Sequence, residues 1–176
     1  MFKNFVCSTF LLIFACVPFI THSQESVSLG IPVTQADLLE FDLIAPPDGS
    51  GFPPGSGTAR EGRQIYDINC AVCHGANGEG TSGNTVIVGG DMQSEGPPLR
   101  TVGSYWPYAS TLFDFIRRAM PASAPKSLTN QQVYEVTAYI LYMNGIVEEE
   151  TPINGATIRK IEMPNANGFI DRSHIQ

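Results

Sequence analysis

The five residues CAVCH at 70–74, with the glycine-rich GANGEG directly behind them, constrain the fold of this chain more than any other feature. Segments with helical apolar patterning lie on either side, but from 75 to 108 Gly and Pro are frequent and no period persists. A small domain with so long an irregular connection buries little apolar area of its own and needs a staple. A large apolar group held in the middle would serve. The paired thiols of Cys70 and Cys73, with His74 beside them, are a means of holding one.

The start of the chain decides how many thiols are in play. Met1–Asn4 is short and positively charged, the run from Phe5 to Ile20 is nearly all apolar, and Thr21-His22-Ser23 places small residues where a signal peptidase inspects. Residues 1–23 therefore read as a cleaved export signal, which sends the mature chain to the periplasm. Lipid attachment at Cys16 is a weaker alternative, opposed by the bulky Phe14 and the apolar VPFI that follows. The run is short for a bilayer span, and no later segment is apolar enough, so no transmembrane segment is expected in the mature chain. Cys7 and Cys16 leave with the signal, and of the 4 cysteines only Cys70 and Cys73 remain.

Three chemistries can use such a pair. A disulfide is possible in an oxidising compartment, yet closing so small a loop gains little chain entropy. Zinc needs four ligands, and the mature chain adds only His74 and His174 as soft donors, so a zinc site is not expected. A thioredoxin-like redox pair expects the motif to open a helix after a strand, whereas this one has helical pattern before it and glycines after it. C-x-x-C-H is also the attachment signature of haem c. In that reading Cys70 and Cys73 each add to a vinyl group and His74 reaches the iron, giving one covalently attached haem. The redox pair stays as the alternative.

The formal net charge of −7 becomes more negative once Lys3 is removed, and no basic stripe exists, so nucleic acid is not an expected partner. The sequence divides into the signal at 1–23, a Pro/Gly-rich arm at 24–57, a compact domain at 58–145 and an extended tail at 146–176. A short helix is expected at 34–41. APPDGSGFPPGSG at 45–57 reads as a linker or extended arm. Thr58 with Glu61, and Thr129 with Gln132, are capping-box patterns that open two helices, the second stopped by Gly145. A third helix is expected from Ser110, turning Leu112, Phe113 and Phe115 inward. The tail is either disordered or packed, and its scattered Ile, Met and Phe favour packing.

If a haem is held, the ligand opposite His74 decides between electron transfer and catalysis. Met92, Met120, Met143 and Met163 are the candidates. Met143 belongs to the apolar stripe of the last helix, Met163 to the tail, and Met92 to a loop. Met120 ends a helix and precedes PASAP, whose prolines stiffen the loop, so Met120 is the expected second metal ligand beside His74. The carbonyl of Pro97 or Pro98 in EGPPLR could accept the proximal imidazole N–H, or the segment is a simple turn. Tyr105, Trp106 and Tyr108 suit a haem rim or a core. Arg117 and Arg118 suit propionates, a docking partner or a solvated helix face.

With Gly62, Tyr66, CAVCH at 70–74, GPPL at 96–99, AMP at 119–121 and Tyr139 in place, residues 58–145 resemble the class I cytochromes c. That resemblance implies an all-α fold, a helical domain around one covalently bound haem, with Gly62 and Tyr66 meeting Tyr139 where the first and last helices cross. TVGSYWPYASTLFDFIRRAMP, LTNQQVYEVTAYILYMNGIV and MPNANGFI, together with the DGSGFPPGSG arm, resemble the SoxD-like cytochrome c subunit of sulfite or sulfane dehydrogenases. This narrower resemblance implies an electron-transfer subunit, itself not catalytic, reduced by a molybdenum-cofactor subunit and drained by a downstream cytochrome or oxidase. A haem enzyme with an open distal site is the competing function.

Overall fold

The computed structural model describes residues 30–38, 41–97, 99–170 and 172–173. The segment read as an export signal lies outside them, as do Pro98 and His174. The chain divides into two compact units, Met1–Thr34 and Gln35–Gln176. In the first, residues 30–34 are exposed and carry no regular structure. Everything below concerns the second.

Among the described residues, eight short elements follow in order: α1 (Gln35–Leu38), β1 (Ser56–Gly57), α2 (Ala59–Asn69), α3 (Ala71–His74), α4 (Ala109–Ala119), α5 (Asn130–Met143), β2 (Ile153–Asn154) and a 3-10 turn at Ile158–Lys160. The architecture is all-α with a two-residue antiparallel ribbon, β1 on β2, pairing Ser56 with Asn154 and Gly57 with Ile153. The helix starts are local chemistry. Thr58 caps α2 and Thr129 caps α5, and in both the capping box is complete, so orphan N–H groups at each helix start find partners. At the far end of α5, Gly145 takes φ +68, a conformation that stops a helix cheaply only at glycine.

α2 and α5 cross at closest range. A Cβ built on Gly62 would lie 1.8 Å from the Glu135 carbonyl oxygen and 3.0 Å from the Tyr139 Cβ, so only hydrogen fits there. One turn on, the Tyr66 and Tyr139 rings pack at 5.3 Å between centroids. The contact implied by the resemblance is therefore present in full. α4 packs on α5 through Phe113, whose ring sits 4.4 Å from Tyr134 and 5.1 Å from Phe52 of the arm.

Within the second unit, arm residues 45–53 and tail residues 153–163 contribute to this core. Ala45 is buried, the Tyr134 hydroxyl donates to the Pro53 carbonyl (2.9 Å), and the tail buries Ile153, Ile158 and Met163. The tail packs through Ile153, Ile158 and Met163, as its apolar side chains favour. The arm's Pro and Gly do exclude a helix over 45–57, but extended chain can still bury side chains. Two expectations need correction. α4 starts at Ala109, one residue early, and Phe115 is 42% exposed rather than turned into the core with Leu112 and Phe113. It lies on another face of the helix and serves another surface, described next.

Candidate haem-binding site

α2 ends at Asn69, and the chain turns at once into the single turn of α3, which carries Cys73 and His74 with Cys70 at its start. Gly75 follows at φ +81 and ψ 160, a region open essentially to glycine, and a Cβ there would meet the Glu79 carboxylate at 2.4 Å. The loop after it folds back to satisfy the carbonyls of α3. Thr81 Oγ1 donates to the Cys73 carbonyl (2.8 Å), and the Gly80 N–H donates to that of His74 (2.6 Å). From inside, the buried Tyr66 hydroxyl donates to the Gly75 carbonyl at 2.8 Å. Burial pushes that phenol far above its ordinary pKa, so it stays a donor. Tyr66→Phe is expected to lower the unfolding free energy of the haem-loaded protein by about 1–2 kcal/mol, because a buried acceptor loses its partner. Denaturant titration reads this, and an unchanged midpoint would mean that water replaces the hydroxyl.

Above α3 opens a cleft of about 380 Å³. Cys70, Cys73 and His74 line one side, and Met120 lies among the residues lining it from the end of α4. Val102, Leu112, Ile116 and Ile140 make the apolar wall. Trp106 and Phe115 also line it, packed edge to face at 5.7 Å and 89°, which accounts for the exposed Phe115. Of the four candidate methionines, Met120 alone is at the cleft. Met163 is buried in the core, Met143 packs against the core's edge, and Met92 is 45% exposed in a separate surface hollow.

The His74 Nδ1 lies 2.8 Å from the Thr85 carbonyl oxygen. That replaces the expected acceptor. Pro97 is exposed and is not among the described residues lining the cleft, Pro98 lies outside the described residues, and the partner at Nδ1 is a loop carbonyl nearer in sequence. Arg117 and Arg118 are also placed away from it. Arg118 pairs with Asp114 on its own helix, and Arg117 donates to arm carbonyls. The cation at the cleft is Arg100, held over the Tyr105 ring at 5.0 Å. Its one sequence signal is position, immediately after GPPL. Thr85 had none, because its backbone does the work. Tyr108 is exposed and Tyr105 packs on Phe169, so of the aromatic trio Trp106 alone lines the cleft.

The donor set fits a haem. Both thiols are free, and burial pushes Cys70 up to about 11. A redox-active pair needs a thiolate stabilised near neutral pH, and here desolvation outweighs the short helix that follows Cys70. Among the described residues no three His, Cys, Asp or Glu side chains converge as a metal cluster would require. At the cleft lie two free thiols, one imidazole with one nitrogen engaged, one thioether, and a mostly apolar wall. No carboxylate is among the described lining residues, and His74 is the one histidine there. A distal acid–base catalyst is therefore lacking among them.

Known proteins share this fold. Residues 57–140 match the family described as "Cytochrome C oxidase, cbb3-type, subunit III". The crystal structure of the sulfane dehydrogenase SoxCD from Paracoccus pantotrophus superposes with a TM-score of 0.77 at 36% identity, covering 86% of this chain and 75% of that one. Two thiosulfate dehydrogenases are more distant. That of Allochromatium vinosum is 26% identical over 123 residues, 67% of this chain and 40% of its own length. That of Stutzerimonas stutzeri is 30% identical over 93 residues, 50% and 28%. The chain thus spans less than half the length of either. No helix among the described residues is long and apolar enough to cross a membrane. Taken with the α2–α5 crossing and the CAVCH cleft, these matches make the chain a member of the class I c-type cytochromes that resembles the SoxD-like cytochrome c subunits of sulfite and sulfane dehydrogenases.

Proposed function

We propose that this chain is an exported monohaem cytochrome c that carries electrons in sulfur-compound oxidation. Cys70 and Cys73 would attach the haem, and His74 and Met120 would hold its iron. One observation carries the reading: two thiols and an imidazole from α3 and a thioether from the end of α4 line the same cleft. When bound, the haem would supply a one-electron Fe(III)/Fe(II) couple, and a methionine ligand together with a histidine would raise its potential.

The polypeptide does the rest. Thr85 accepts the Nδ1–H of His74, which fixes the tautomer and leaves Nε2 as the free lone pair. Val102, Leu112, Ile116 and Ile140 keep the wall dry, which disfavours excess charge in the cleft. Arg100 offers guanidinium donors at the wall for propionates. Residues 58–145 form the haem domain, with the arm at 24–57 and the tail at 146–176 as its own additions.

The electron donor is a molybdenum-cofactor sulfite or sulfane dehydrogenase subunit, and a downstream cytochrome or oxidase takes the electron on. The likeness to sulfane dehydrogenase SoxCD over most of both chains supports this, and the export-type start supports a periplasmic site. Expression with haem c maturation machinery tests the core of it. The wild type should keep its haem through acid–organic extraction and show the methionine–iron charge-transfer band. Met120→Ala should lose that band entirely and fall in potential. A band that survives in Met120→Ala, or avid carbon monoxide binding by the wild type, would sink the axial assignment.

A further inference from the structure

We infer that residues 41–51 of the arm are a strap that holds Met120 in place for iron, with Asp114 and Arg117 as the positioning residues through which it acts. The inference rests on the reading of Met120 as an axial ligand. Met120 is the C-cap of α4, in extended backbone at φ −117 and ψ 148, so the helix ends just where the thioether is needed. The loop from there to Thr129 is largely exposed and has no regular structure. A thioether is a weak ligand, and a loose loop would let it leave.

The arm holds that segment on both sides. On the helical side, Asp114 Oδ1 accepts the Ala45 N–H at 2.8 Å. Arg117 Nη1 donates to the carbonyls of Leu43 (3.0 Å) and Gly51 (3.2 Å). On the far side, the Lys126 ammonium lies 5.2 Å over the Phe41 ring. Residues 114, 117 and 126 bracket position 120, and each is gripped by the same short stretch of arm. Ala45 is 1% exposed, so the stretch is seated and not merely adjacent. Lys126 itself holds φ +64, a conformation a non-glycine residue keeps only where its surroundings impose it. None of these contacts reaches the cleft itself, so the strap acts through the segment it holds, in which Met120 supplies the thioether.

The consequence is an equilibrium. An external ligand binds ferric iron only when Met120 is off, and its apparent affinity scales with the fraction in that state. Imidazole titration of the full-length haem-loaded protein reads that fraction. Arg117→Met keeps the stem and removes the donors to two carbonyls, so imidazole should bind about tenfold more tightly. Arg117→Lys should recover part of this. Phe41→Ala changes a residue that is 69% exposed, leaves the fold intact, and should tighten binding about threefold. Arg60→Gln breaks the surface pairs with Glu149 and Glu150 and should leave imidazole affinity unchanged. Met120→Ala should bind imidazole more tightly than any strap variant.

Two results overturn the strap while the ligand reading stands: Arg117→Met and Phe41→Ala within twofold of wild type, or Arg60→Gln tightening binding as much as they do. If Met120→Ala itself binds imidazole no more tightly than wild type, the ligand reading fails and the strap falls with it.

Discussion

Replacing Cys70 and Cys73 together by alanine is expected to make the haem extractable and to cost the haem-free chain most of its helical structure. The reason is volume. The cleft measures about 380 Å³ and is walled by Val102, Leu112, Ile116 and Ile140, which come from the loop, α4 and α5. Without haem, water enters this open cleft and the four apolar side chains lose the partner that would cover them, while an ordinary small domain has only about 5–15 kcal/mol of stability to draw on. Collapse could recover part of that cover, but only by unseating α4 from α5. Far-UV circular dichroism before and after acid–organic extraction reads the outcome. Haem that stays with the double variant through extraction, or a haem-free chain with undiminished helical signal, would contradict the account.

Gly62→Ala is expected to cost the loaded protein about 3 kcal/mol, and Gly62→Val more. Alanine in a helix interior normally stabilises by about 0.5–1 kcal/mol relative to glycine, so propensity alone predicts the opposite sign. Sterics decide it. The added Cβ would lie 1.8 Å from the Glu135 carbonyl oxygen, which is backbone and cannot swing aside. α2 and α5 would have to separate, and the ring contact between Tyr66 and Tyr139 at 5.3 Å would open with them. Denaturant unfolding of holoprotein measures this. A Gly62→Ala protein as stable as wild type would mean that the crossing is looser than these distances.

Local chemistry was legible in the sequence, and so was the CAVCH motif that lines the cleft. The capping boxes at Thr58 and Thr129 involve partners three residues away, and CAVCH is a contiguous string, so each could be read without knowing the fold. Placing Met120 at the cleft was also foreseeable, because a helix end followed by prolines marks a stiff turn, and Met143 and Met163 do pack as core. What pairs across long separations was not legible. The imidazole's partner is the backbone carbonyl of Thr85, and a carbonyl leaves no trace in residue type, whereas the prolines at 97 and 98 stand out in the sequence. Arg100 reaches the cleft while Arg117 and Arg118 turn away, a choice made by the way the loop over 75–108 closes and not by the charge all three share.

The arm marks the boundary most clearly. Its Pro and Gly determined by themselves that residues 45–57 form no helix, since proline lacks a donor and glycine costs entropy. Whether such a stretch hangs free or binds depends on what lies opposite it. Here Asp114 and Arg117, about seventy positions away in sequence, present a carboxylate and a guanidinium to its backbone. Sequence determined the cofactor chemistry and the helix starts because both are short-range. Tertiary structure alone decided which carbonyl holds His74, which arginine lines the cleft and what grips the Met120 segment, because each depends on backbone groups brought together only by folding.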